Sequence, residues 1–311
     1  MKNLKKFIVC TSINKPTLAV KKFDAMKDWK LVIVGDKKTP KNYKLKNGIY
    51  LSPKKQEKID KKLSDLIGWN CIQRRNFGIL YAWKNGADIV AVVDDDNIPY
   101  KNWGKKLLIN TKTSTNFYKT DAEAFDPIFV TNHKNLWHRG FPIQILDKRH
   151  NVKKQKKMIK PDIQADFWNG DPDIDAICRM EHHPICKFKD KYFPLASNKV
   201  SPFNSQNTFI SKKVLPHYFL FPHIGRMDDI WASFYVLSKG FKVVYNKASV
   251  FQKRNEHDLT KDMLKEFIGY ENNLNLIKDL KKNINNINSY IPERSRLAFL
   301  RYQTHFKQYN E

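Results

Sequence analysis

Apolar runs bounded by polar residues open the chain. KFIVC and KLVIVGD read as buried strands, and KPTLAVKKFDAM between them fits a helix. PKKQEKIDKKLSDLIG starts with proline and stops at Gly68, the signature of one helix. CIQRRNFGILYAWKNG predicts a second helix, closed by Gly86 and leading straight into the strand DIVAVV. Such alternation predicts a mostly parallel sheet with helices on its faces. Ligands of these sheets bind beyond the carboxyl ends of the strands. TSIN, VGDKKTP and DDDN all follow strands at those ends, so they are expected to converge on one crevice.

Downstream the pattern weakens. Residues 111–205 are irregular and rich in Pro, Asp and Asn, as substrate loops often are. DDIWASFYVLSKG resumes helix and is followed by the strand FKVVY. From about Asp258 the chain is helical, polar and rich in Lys and Asn. No repeat or linker divides it. The expected organisation is one α/β domain over 1–255, with a helical C-terminal extension, 256–311, packed on it.

Composition adds a constraint. Of 311 residues, 41% are hydrophobic and 13% aromatic, which describes a globular chain rather than a disordered one. Lys plus Arg number 57 against 31 Asp plus Glu, a formal net charge of +26. That surplus suits anionic partners, or merely solvates the surface. Charge alone therefore does not choose a function. A basic nucleic-acid-binding protein stays open on that number, although clustered acidic motifs and the lack of an aromatic-plus-basic platform stand against it. Cys10, Cys71, Cys178 and Cys186 have no framework spacing, pointing to a reduced, cytoplasmic protein. The apolar run in MKNLKKFIVCTS is too short for a signal peptide, and no stretch approaches a membrane span. Peripheral contact with an anionic membrane surface remains open.

The chemistry gathers in a few stretches. In AVVDDDNIPY, alternation would turn Asp94 and Asp96 to one side and Asp95 to the other. Two carboxylates on one side suit Mn2+ or Mg2+ bridging to substrate phosphates. An EF-hand fails, because Pro99 and Lys105 stand where Gly and Glu are needed; an acidic helix-capping turn is the plainer alternative. Arg74 and Arg75 in QRRNFG could clamp a diphosphate. Asp36 in VGDKKTP could accept from a base or ribose. Asp228 and Asp229 in IGRMDDIW open a helix, where one is expected to cap and at most one to act as a general base or to stabilise a cationic centre. Cys178, His182, His183 and Cys186 lack the spacing of a zinc site.

Taken in order, TSINKPT, VGDKKTP, YLSPKKQ, RRNFGILYAWKNGA and VVDDDN resemble STELLO-type glycosyltransferase-like proteins. LWHRGFP, GDPDIDA, SPFNSQNTF and IGRMDDIW also resemble the reversibly glycosylated polypeptides, which include UDP-arabinopyranose mutases. The similarity runs from about residue 5 to 270. It implies a nucleotide-sugar-binding fold of the glycosyltransferase A type, with the carboxylate triplet as its Asp-x-Asp motif. In the mutase group, the arginine of the motif matching HRGFP carries the sugar, and here that is Arg139. Two departures concern mutase activity: Asn97 replaces a usual cysteine, and NSQNT is richer in amides.

The resulting expectation is a metal-dependent glycosyltransferase using a nucleotide sugar, with UDP as the expected nucleotide. Asp94 and Asp96 would hold the metal. Thr11, Ser12, Asn14, Asp36, Arg74, Arg75, Asp95 and Asp173 would bind the nucleotide sugar. Asn204, Gln206 and Asn207 would read sugar hydroxyls, since an amide both donates and accepts. Asp228, Asp229 and Arg139 would carry the chemistry, Arg139 as an anion clamp or, in a mutase or self-glycosylating protein, as the sugar carrier.

Overall fold

The protein is described by a computed structural model covering residues 4–253 and 258–307; the domain boundary expected at 255/256 lies outside the described residues. The first half follows the hydrophobic pattern. Strands β1 (Lys6–Thr11), β2 (Lys30–Val34), β3 (Ile49–Leu51) and β4 (Ile89–Asp94) lie parallel in the order β3-β2-β1-β4. Helix α1 (Leu18–Asp24), capped by the Thr17 side chain, connects the first two.

The PKKQEKIDKKLSDLIG stretch forms two helices, α2 (Pro53–Ile59) and α3 (Lys61–Ile67), not one. Asp60 breaks the run in extended backbone, and its carboxylate accepts from the Leu63 N–H to cap α3. A single 3-10 turn, Ile72–Arg74, leads into α4 (Arg75–Lys84). Gly78 lets α4 lie close on the sheet, because a Cβ there would collide with Val9 and Val34.

The middle, irregular by its pattern, contains strands. They are β6 (Thr113–Thr120), β7 (Val152–Ile159), β8 (Ile163–Gly170) and β9 (Leu195–Ser197), following the short β5 (Asn97–Pro99); α5 (Ala176–His182) lies among them. β10 (Asn207–Ser211) runs antiparallel between β4 and β8 and joins the two halves. Past β10 the order is β8-β11-β9-β6-β7, with β11 (Val243–Gln252) also pairing antiparallel with β5. The sheet is therefore mixed, with a wholly parallel N-terminal part, and helices flank it.

Helix α6 (Asp228–Ser238) is almost entirely buried. Helices α7 (Leu259–Lys282) and α8 (Glu293–Lys307) put Leu276, Leu280, Phe299 and Tyr302 into the same hydrophobic cluster as the sheet. Among the described residues no helix is long and apolar enough to cross a membrane.

Candidate active site

The parallel strands end level with one another. Thr11 is in register with Val34 on one side and Asp94 on the other. The loops after β1, β2 and β4 thus leave the sheet together. The Asp95–Asp96 turn separates the acidic side chains: Asp94 and Asp96 line an inner cavity of about 220 Å3, and Asp95 lines an adjoining one of about 320 Å3. Ile72 borders both.

The outer cavity gathers Thr11, Ser12, Asn14, Asp36 and Asp95. Asp95 accepts from Ser12 Oγ at 2.6 Å and Asn14 Nδ2 at 3.2 Å, so these three form one polar wall. Asp36 accepts from the backbone N–H groups of Lys37, Asn70 and Cys71, pinning the β2 loop to the start of the 3-10 turn. A ribose would have to share those oxygens.

Arg74 differs from its expected role. It is fully buried, donates to Gln56 Oε1, Ser64 and the Gly68 carbonyl, and stacks 3.7 Å over the Trp69 ring. Burial pulls its guanidinium down to about 10. It thereby fastens α2 and α3 to α4; among the described residues its Nη2 has no hydrogen-bond partner.

Arg75 is likewise internal. It pairs with Asp94 Oδ1 at 2.6 Å and donates to the Thr11 hydroxyl and to Ser205. Burial alone would lower the Arg75 guanidinium, but the neighbouring Asp94 charge more than offsets it. Burial raises Asp94, and Arg75 opposes that rise. Arg75 therefore aims a carboxylate into the inner cavity rather than reaching a phosphate itself.

Across that cavity stands the start of α6. Met227, not an aspartate, is the N-cap residue, and no side chain caps the helix. Both aspartates lie in its first turn with other partners. Asp229 makes a two-pronged pair with Arg139, Nη1 to Oδ1 and Nη2 to Oδ2 at 3.1 Å each, and also accepts from Ser205 N at 2.9 Å. Asp228 accepts from Gln73 Nε2 at 2.9 Å. Burial, then the charge of Asp229, pushes the Asp228 carboxyl up to about 7. The two adjacent carboxylates thus meet different partners, a guanidinium for Asp229 and an amide for Asp228. That is how one site obtains an anchor and a titrating group.

Arg139 is held from three sides. Its Nε donates to Asp173 at 2.9 Å, and Nη1 also reaches the Arg226 carbonyl. Burial would lower it, yet Asp173 and Asp229 hold it well above its ordinary value. A guanidinium has five N–H groups. With Nε, both Nη1 hydrogens and one Nη2 hydrogen engaged, one remains for a ligand, which is poor provision for the anion clamp that the sequence suggested. Asn204 donates to Asp173 at 2.8 Å and so supports this network instead of a sugar. Asn207 is also structural: it binds Trp103, Phe167 and Ser249 inside the sheet.

Gln206 does line the inner cavity, and among the described residues its Oε1 has no hydrogen-bond partner. The same holds for Gln252, at the end of β11, which sequence reading missed. Nothing local marks it; only the β5–β11 pairing, Gln252 opposite Asn97, carries it to the site. Gln73 and Ser205, which position the two α6 aspartates, were also missed.

Among the described residues, no group of three His, Cys, Asp or Glu could hold a metal ion. The inner cavity nevertheless offers hard oxygen ligands: the Asp94 and Asp96 carboxylates and the amide oxygens of Gln206 and Gln252. Mg2+ and Mn2+ take one or two carboxylates and complete their shells with substrate phosphates and water. The residues fit such an ion only together with a diphosphate.

No family model matches the sequence. Two proteins of Arabidopsis thaliana, named probable glycosyltransferase STELLO1 and STELLO2, are each 24% identical over 222 residues, or 65% of this chain. The match spans 29% of their own length. Among solved structures, glucosyl-3-phosphoglycerate synthase from Mycobacterium tuberculosis, in complex with phosphoglyceric acid, aligns over 88% of this chain and 80% of its own, at 10% identity and a TM-score of 0.45.

Proposed function

We propose that the protein is a glycosyltransferase that takes a nucleotide sugar, UDP-linked, in the two joined cavities. The observation that carries this reading is the division of the carboxylate triplet: Asp95 lines the outer cavity, and Asp94 and Asp96 line the inner one together with Asp228. A nucleoside fits the polar wall of Thr11, Ser12, Asn14 and Asp95. The diphosphate then falls at the ends of β1 and β4, and the sugar lies toward α6.

Asp94 and Asp96 would hold Mn2+ or Mg2+, with Gln206 and Gln252 offering further oxygens; bound there, the ion would offset charge on the departing diphosphate. Arg75 opposes the rise that burial imposes on Asp94 and aims its carboxylate. Arg139 and Ser205 fix Asp229, and through it the first turn of α6. Asp228, with its carboxyl poised near neutral pH, accepts the proton of the acceptor hydroxyl as that oxygen bonds the anomeric carbon and the carbon–diphosphate bond breaks.

The test is a screen of nucleotide sugars, with products and intact protein read by mass spectrometry. Transfer or hydrolysis of a UDP-sugar that requires Mn2+ or Mg2+ supports the reading. A stoichiometric pentose or hexose adduct on Arg139 would favour a mutase or self-glycosylating protein instead.

A further inference from the structure

Away from these cavities lies a second concave surface. Depressions of about 800 Å3 and 350 Å3 share Asn198, Lys199, Val200 and Leu237 as lining residues, so they form one groove. It runs from the last turns of α7 to the end of the edge strand β7. Lys278 and Lys281 line one end, Lys157, Lys160 and Lys242 the other, with Lys199 shared between them. Asp121 and Glu123 are the acidic groups on its walls.

Among the described residues, Lys160, Lys242, Lys278 and Lys281 make no ion pair, and Lys157 lies 4.5 Å over the Phe117 ring. Lys282, next to them, is paired with Asp279 at 2.9 Å. Beyond the groove, β7 continues the charge outward through exposed Lys153, Lys154 and Lys156. Lys119 of β6 stands directly opposite Lys153, a like-charge pairing that weakens a sheet. Lysines on an edge strand discourage strand addition. That role does not call for lysines on α7 and beside β11 that face the same groove.

We infer that this groove binds a linear, acidic polysaccharide. Its shape takes a chain and not a flat bilayer surface. The charges are lysines, with no arginine among the lining residues, so they read charge density and not planar phosphate geometry. No aromatic face is offered for stacking bases: Phe117 is buried beneath Lys157, and Phe241 is packed against His217. Single-stranded nucleic acid depends on such faces, whereas a polyuronate needs only spaced cations.

The test uses the full chain and fluorescently labelled polygalacturonate oligomers, followed by anisotropy. Binding is expected, weakening at least about tenfold between 50 and 200 mM salt as counterions are released. Lys278→Glu/Lys281→Glu and Lys242→Glu should each weaken it about tenfold or more, while the distant exposed pair Lys21→Glu/Lys22→Glu should not. Equal loss in that control would overturn the groove in favour of diffuse surface charge. So would absence of binding, or tighter binding to an oligonucleotide of matched charge or to anionic lipid vesicles. The assay reads binding alone, so its outcome is separate from that of the transfer reaction.

Discussion

At the scale of single residues, neighbouring aspartates do different work. Asp229 is locked into a buried pair with Arg139, so Asp229→Asn should cost stability, about 3 kcal/mol by denaturant titration; Asp173 still faces Arg139 and keeps the loss at the low end. Asp228→Asn should instead lower turnover about 10²- to 10⁴-fold, the usual worth of a general base, with little change in stability. Because the base acts as carboxylate, wild-type turnover should rise with pH through about 7 and then level off, and this limb should be missing from the residual activity of Asp228→Asn. Gln252→Leu removes an acceptor that bonds nothing among the described residues, so stability should hold within about 0.5 kcal/mol while the donor KM rises about tenfold. Sequence alone brought out Asp228 and Asp229 as a pair. Their different surroundings depend on Gln73, Arg139 and Ser205, whose approach belongs to the fold.

At the scale of elements, legibility tracked burial and locality. β1, β2 and β4 are apolar runs buried on both faces, and their pattern alone revealed them. β6 and β7 did not show: VKKQKKMI is an exposed edge strand in which lysine replaces the usual strand formers, and the buried centre of TSTNFYKT is a short run of mixed polar and aromatic residues without a clear alternation. The α2–α3 break escaped notice because Asp60 looks like an ordinary polar helix residue until its capping role is seen. That same residue also accepts from Arg301 and His305, clasping α8 to the sheet domain. Phe299 on α8 packs within 5.5 Å of the Phe219, Phe221 and Tyr235 rings. Phe299→Ala should therefore cost about 3–5 kcal/mol in chemical denaturation, with activity per folded molecule unchanged, since α8 lines neither site cavity.

At the scale of the whole molecule, the convergence of three loops at the strand ends was readable from the order of strands and helices, while the second wall of the site was not. α6 and the end of β11 reach the cavity through the antiparallel β10 bridge and the β5–β11 pairing, which no local pattern encodes. The +26 charge is equally silent about where the lysines gather. The central claim is that the inner cavity binds a metal-bridged nucleotide sugar. Calorimetric titration of UDP, with and without Mn2+, into wild type and Asp96→Asn tests it most directly. Asp96 is preferred to Asp94 because removing the latter also breaks the pair with Arg75. The expected result is Mn2+-dependent UDP binding in wild type, weakened at least about tenfold in Asp96→Asn as one charge-assisted contact is lost. Undiminished Mn2+-dependent binding in that variant, or no UDP binding by the folded wild type, would contradict the claim.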